Sequence, residues 1–348
     1  LQSVLLPLGA PLSKAYSHNA YQLAILACKE ETRTWVFMNY INLVSEIGNR
    51  NDPIAFYLPD YSGCNWSSLT PWFEYSVFTR DFIRQCNLSF KGLVKHAIFN
   101  QNYIFLYVNE KYIPGTAWHA KGMDFNHNLL LHGYDEATDE VSFLIYDTNR
   151  SLTVRSIPVN ELEMAFYDNT YSCERNENRM YFLKLREDSN FKLSFDLDYV
   201  IEQLLNYQSG KQAICNVMDY HADCKYSYGL AVYDRMIGHL NQLLQDPVAK
   251  LQERVIIPLH LLMEHKQIMV ERLKFIAELY PHADLAAFIE AFENLKKSFE
   301  TLRNNGIKLE LTGNSAILSK IIKGMVELKE KERNVLTDLI NYLSTINH

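Results

Sequence analysis

Residues 124–149 read Asp-Phe-Asn-His-Asn-Leu-Leu-Leu-His-Gly-Tyr-Asp-Glu-Ala-Thr-Asp-Glu-Val-Ser-Phe-Leu-Ile-Tyr-Asp-Thr-Asn. Two apolar runs, 128–131 and 141–146, flank a polar turn at 135–140. This pattern predicts a β-hairpin whose strands are apolar enough to be buried on both faces. His127 stands where the first strand begins and Asp147 where the second ends. In an antiparallel hairpin those ends lie side by side, so the fold itself is expected to bring an imidazole to a carboxylate. Such a carboxylate fixes the tautomer of a general base. The plainer alternative is a solvent-facing strand-end His and a turn-capping Asp.

His127, five residues, Gly133-Tyr134-Asp135 and then an apolar strand ending in Asp147 resemble the His/Asp hairpin of papain-like folds of the bacteriocin-processing C39 type. The same residues are similar to the N-terminal domain of the butirosin-biosynthesis aminoacyl-transferase family. The resemblance implies His127 as general base and Asp147 as the residue that orients it. It extends to the apolar strand before the His loop. It extends more loosely to Tyr228-Gly-Leu-Ala-Val-Tyr-Asp in the C-terminal half.

With 348 residues the chain has room for two cores. Gly (13) and Pro (10) are too sparse for a fibrous or disordered chain. The 22 tyrosines suit a cleft or interface surface and a β-rich core equally well. A net charge of −7 without a compensating Lys/Arg cluster argues against a nucleic-acid groove. No run of about 18 apolar residues predicts a membrane span. The start, Leu-Gln-Ser-Val-Leu-Leu-Pro-Leu-Gly, lacks the basic flank and cleavage site of a signal peptide. It also lacks an initiator Met, so a larger parent chain or a removed tag is expected. Cys28, Cys64, Cys86, Cys173, Cys215 and Cys224 form no compact framework, which predicts reduced thiols and a cytoplasmic protein.

In chain order, 16–28 predicts a short helix, and 35–44 is ambiguous between helix and strand. A brief strand at 54–59 precedes a turn that runs into a helix ending near 85. An amphipathic piece at 93–99 leads to a strong strand from Tyr103, then a loop at 114–126 rich in Gly, His and Trp, then the hairpin. A short helix at 159–165 and a strand at 180–185 close the sheet. From about 195 the apolar spacing becomes helical, with five expected helices and no strand signals. The predicted organisation is an α+β domain at 1–190, which the resemblance implies is papain-like (C39-like), and an appended all-helical domain at 195–348.

A cysteine nucleophile works best at a helix N-terminus, where backbone N–H groups lower its pKa and can hold an oxyanion. In the butirosin-type family a His-Cys pair opens the first helix. The corresponding stretch here is Ser17-His18-Asn19, without a thiol. Cys64, in Gly-Cys-Asn-Trp-Ser-Ser, is the substitute candidate, against the ordinary role of a small buried hydrophobe. Cys215, His221 and Cys224 have a spacing suited to zinc, and His18, His127 and Asp147 could form a two-His, one-carboxylate group if clustered. Ordinary packing is the competing account of both, and no cofactor or metal is expected. His119 and His132 are further histidines near the hairpin, and His132, in the strand just before Gly133, is read as a packing or capping residue.

The site is expected in the cleft between helix 16–28, Cys64 and the hairpin. The resemblance implies an acyl or aminoacyl transferase of antibiotic or nonribosomal-peptide biosynthesis. It would move an acyl group from a carrier-protein thioester to an amine, through Cys64 or by direct attack of the amine. The implied partners are an acyl or peptidyl carrier protein, a small-molecule amine and, as an open option, a second copy of the chain. The competing class is a degenerate papain-like protein that binds a carrier protein or peptide without catalysis. An activated Cys64 is expected to react with iodoacetamide at pH 7 ahead of the other cysteines, and labelling that spares it removes it as nucleophile.

Overall fold

The computed structural model describes residues 2–46, 54–58, 70–168, 178–187, 192–211, 226–245 and 255–346. The first elements are β1 (Ser3–Leu5), α1 (Ser17–Leu26), α2 (Thr32–Asn39), β2 (Leu43–Glu46) and β3 (Ala55–Phe56). They are followed by β4 (Phe73–Thr79), α3 (Arg80–Gln85), α4 (Phe90–Phe99) and β5 (Asn102–Asn109). A 3-10 turn (Glu110–Tyr112) and α5 (Ala117–Lys121) lead to β6 (Asn126–Asp135), β7 (Glu140–Tyr146), β8 (Leu152–Pro158), α6 (Val159–Tyr167) and β9 (Arg179–Leu185). The remaining elements are α7 (Leu197–Ser209), β10 (Tyr226–Tyr228), α8 (Ala231–Gln245), α9 (Ile256–Leu279), α10 (Ala286–Thr312) and α11 (Ser315–Ile346). Two compact units result: Leu1–Thr32 with Gly63–Lys192, and Arg33–Ser62 with Leu193–His348.

The first unit is built on a seven-stranded antiparallel sheet in the order β4-β9-β5-β6-β7-β8, with β1 also paired to β6. Its middle strand β5, Asn-Tyr-Ile-Phe-Leu-Tyr-Val-Asn, is aromatic and β-branched and largely buried, as a strand covered on both faces must be. Residues 7–14 and α1 lie over the face of Tyr103 and Phe105. Tyr103 donates to Pro7 O at 2.6 Å, Tyr21 packs edge-on against Phe105, and Tyr146 donates to Lys14 O at 2.6 Å. The opposite face, that of Tyr134, is met by Phe99 of α4. At Gly133 a Cβ would lie 2.7 Å from Leu5 Cδ1 and 3.0 Å from Ser142 Cβ, so β1 closes onto β6 only where a side chain is missing.

Several sequence expectations are corrected. The helix expected to run to residue 85 begins at Arg80, because Phe73–Thr79 pairs with β9 over its whole length and Thr79 Oγ1 then caps α3 by accepting from Phe82 N. The strand at 179–185 is interior, between β4 and β5, rather than closing the sheet. Strands β1 and β8 were not anticipated: β1 is three residues long, and only Ile157 of β8 is fully buried, so neither shows an apolar run.

The second unit is helical but not all-helical, because β10, β2 and β3 form a small antiparallel sheet. It also claims residues expected in the first domain. Buried Arg272 on α9 donates to Phe37 O and Tyr40 O, each at 2.6 Å, satisfying carbonyls at the end of α2. His265 meets Ile41 O at 2.7 Å, and Asn42 donates to Gln203 Oε1 at 2.8 Å. Gly229 donates to Leu43 O, and a Cβ there would sit 2.0 Å from Tyr207 O. Backbone carbonyls of Phe37, Tyr40, Ile41 and Leu43 are thus completed by α9 and the residue after β10, and the Asn42 side chain by α7. Apolar periodicity carries no trace of such contacts.

Inside this unit Lys266 on α9 pairs with Glu332 on α11, both fully buried. Tyr207 on α7 and Tyr233 on α8 also donate to the Glu332 carboxylate, at 3.0 and 2.5 Å. Lys266 Nζ lies 2.8 Å from His265 Nδ1, and burial holds His265 well below the usual imidazole range. Four helices therefore converge on one carboxylate. Removing one member leaves an uncompensated charge, which costs about 3–5 kcal/mol, whereas replacing the pair by apolar groups costs far less. Accordingly, Lys266→Met should lower unfolding free energy by about that amount, and Lys266→Met with Glu332→Leu by clearly less than the sum of the singles. Denaturant titration measures both, and additive losses would contradict the coupling.

Candidate functional site

Strand β5 pairs with β6 from Ile104↔Leu131 to Asn109↔Asn126, which sets Val108 opposite His127. The chain then turns at once into Glu110–Tyr112. Asn109, 1% exposed, makes that turn. Its Oδ1 accepts from Lys111 N and Phe125 N, each at 3.2 Å, and its Nδ2 donates to Asp124 Oδ1 at 2.9 Å and Asp168 O at 3.0 Å. Asn109 and Lys111 hold the Asp124 carboxyl below the usual carboxylate range. Thr116 Oγ1 donates to Glu110 O, and Glu110 N donates to Phe125 O at 2.8 Å.

The carboxylate delivered to His127 is that of Glu110. Oε1 of Glu110 lies 2.6 Å from His127 Nδ1. The Glu110 side chain is 5% exposed and that of His127 29%. A buried carboxylate on Nδ1 selects the Nδ1–H tautomer and leaves the Nε2 lone pair free. Nε2 of His127 has no partner among the described residues.

Asp147 does something else. Its Oδ1 accepts from Asn149 N at 2.8 Å and Ser151 N at 2.9 Å, capping the β7–β8 turn, and no hydrogen bond or ion pair joins it to His127. The expectation that the hairpin pairs these two is corrected by the register. β6 and β7 pair from Asp135↔Glu140 only as far as Leu130↔Leu144, whereas β7 stays paired with β8 to Tyr146↔Leu152. The hairpin has parted before residues 127 and 147 are reached. Glu110 was missed because it ends an apolar stretch that reads as one continuous strand. The Asn-Glu step after Val108 is the signal that a turn begins there.

No hydrogen bond or ring contact joins Ser17, His18 or Asn19 to His127. In β6 successive side chains leave on opposite faces, so Asn128 shares the face of Tyr107 and Phe105 that α1 covers, and His127 shares the face of Val108 and Leu129. Tyr21 of α1 donates to Asn128 O at 3.1 Å, and burial pushes its phenol well up. Ser17 and Asn19 are buried in the first turn of α1, while His18 is half-buried and stacks on Tyr16 with centroids 5.6 Å apart. His18, His127 and Asp147 form no metal-holding group among the described residues. Cys64 and the Cys215, His221, Cys224 set lie outside the described residues. His132 is the extra residue of the bulge in β6; it packs against β1, with Nδ1 3.0 Å from Leu6 O, and burial lowers its pKa. His119 Nδ1 lies 2.7 Å from Lys111 O. Among the described residues no helix is long and apolar enough to cross a membrane.

No protein-family model and no curated protein matches the chain. The site is therefore defined by its own chemistry: an imidazole oriented by a buried carboxylate, its second nitrogen open. Asp147→Ala is expected to cost about 1–2 kcal/mol through its lost turn hydrogen bonds and to leave the His127 tautomer unchanged. Glu110→Ala should redistribute that tautomer, read from the ring ¹⁵N shifts. The opposite pattern would reinstate Asp147 as the orienter.

Proposed function

We propose that the first unit is a papain-like (C39-like) transferase domain that moves an acyl or aminoacyl group from a carrier-protein thioester to an amine. His127 acts as the base and Glu110 as its orienter. The observation that carries this reading is the contact between His127 Nδ1 and the buried Glu110 carboxylate, with Nε2 unpartnered. The α+β architecture around an antiparallel sheet and the resemblance of the 127–147 segment lend it support.

In this reaction the amine nitrogen attacks the thioester carbonyl carbon, giving a tetrahedral oxyanion and a protonated amine. His127 Nε2 takes the proton from that nitrogen. As the carbonyl re-forms, the C–S bond breaks and His127 returns the proton to the departing thiolate. The products are an amide and the free carrier thiol, with no covalent enzyme intermediate. Direct attack suits a chain that has Ser17-His18-Asn19, and no thiol, at the helix start.

A second reading, a carrier- or peptide-binding protein without turnover, is favoured by the same missing helix-start thiol. An acyl-carrier thioester presented with a panel of amines, hydroxylamine included, separates the two when thiol release and amide mass are followed. Transfer that falls about 10²–10⁴-fold in His127→Ala, as expected for loss of a general base, supports the enzyme. Equal rates in wild type and His127→Ala would falsify it, and carrier binding without release favours the second reading. An acyl adduct on Cys64 in intact mass would redirect the route through the thiol.

A further inference from the structure

The 110–125 excursion between β5 and β6 contains a stack of rings that ends on His127. Trp118 and Phe125 are parallel within 17°, with centroids 4.4 Å apart. Lys121 Nζ lies 4.7 Å from the Trp118 ring centroid. Phe125 meets the His127 imidazole at 5.7 Å and a tilt of 45°. Lys121, Trp118, Phe125, His127 and Glu110 thus follow one another as cation, indole, phenyl, imidazole and carboxylate.

The stack is held from both ends. Phe125 is clamped through its backbone, N to Asn109 Oδ1 and O to Glu110 N. Phe125 and His127 are two residues apart on an extended segment, so their side chains leave on one side. Trp118 sits on α5, which Thr116 caps by accepting from His119 N at 3.2 Å. Gly122 ends α5 at φ 64°, and Met123 N then donates to Trp118 O at 3.1 Å. All three rings are half-buried, so the aromatic contacts do not arise from the demands of a closed core.

The hydrogen bond between Glu110 and Nδ1 restrains the imidazole through one atom, and coupled χ1/χ2 motion can still displace Nε2 while Nδ1 stays within reach of the carboxylate. A ring packed beside the imidazole, as Phe125 is at 5.7 Å and a 45° tilt, occupies the space into which that motion would carry the ring and holds Nε2 in place. We propose that Phe125, backed by Trp118, is a positioning residue for His127, completing the orientation that Glu110 begins. The proposal rests on reading His127 as the base, and its mechanical content can be measured without substrate.

The experiment uses the full chain with ring-labelled histidine. His127 is assigned by loss of its signal in His127→Gln, and its side-chain order, tautomer and cross-relaxation to the Phe125 ring are measured. Wild type is expected to show one tautomer and a rigid imidazole. Phe125→Leu should keep the tautomer, since Glu110 remains, and move the imidazole from the rigid to the flexible range. Phe125→Tyr should restore rigidity. Trp118→Leu, a change at a half-buried position on α5, should give a smaller loosening and serves as the second variant if Phe125→Leu fails to fold. Where transfer is measurable, Phe125→Leu should lower kcat about tenfold or more with little change in KM, as displacement of a catalytic group does. An imidazole as rigid in Phe125→Leu and Trp118→Leu as in wild type overturns the proposal. Loosening of the ring in a protein that transfers no acyl group would leave the stack established and remove the transferase reading instead.

Discussion

The antiparallel contact between β5 and β6 is the constraint from which the first unit's candidate site follows. Its register runs through Val108↔His127 to Asn109↔Asn126, so the imidazole emerges beside the last residues of β5 rather than beside the end of β7. Asn109 then spends all of its side-chain hydrogen-bonding capacity on turning the chain, and the next residue is Glu110. A carboxylate carried on a strand end and closed off by a 3-10 turn has few places to go. Here it is buried against Nδ1 of His127.

The second unit depends on a different device. Its central helix α9 carries Arg272, Lys266 and His265, all fully buried, and each has a stated partner. Arg272 completes the end of α2, His265 completes Ile41 O, and Lys266 meets the carboxylate that α7, α8 and α11 share. Buried charges are poor sources of net stability but strong selectors of arrangement, because a shifted helix would leave them unpaired. Those pairings tie Phe37, Tyr40 and Ile41 to a helix more than 200 positions away along the chain.

Much of the architecture was legible in the linear pattern. Apolar runs of strand length flank 135–140, and α4, α6 and the long helices from 197 onward follow helical spacing, so their existence could be read directly. His127 was singled out correctly as a strand-start imidazole. Its partner was not, because the inference assumed that a hairpin stays paired to its ends. β7 instead remains with β8 while β6 remains with β5, a competition among three strands that two-strand reasoning does not contain. The segment from Arg33 was assigned to the wrong unit for a similar reason: hydrogen bonds to the carbonyls of Phe37, Tyr40 and Ile41 involve no residue type at those positions.

What the linear sequence determined by itself is local: which segments are strands or helices, that the chain holds two kinds of core, and that an imidazole begins a buried strand. These follow from side-chain periodicity, a property of neighbours along the chain. Tertiary structure decided which carboxylate reaches His127, which face of the sheet α1 covers, and which unit owns residues 33–46. Each of these turns on where two distant strands stop pairing or on which buried donor finds an open carbonyl. Such contacts depend on register and on hydrogen-bond completion, and both are set only when the chain closes on itself.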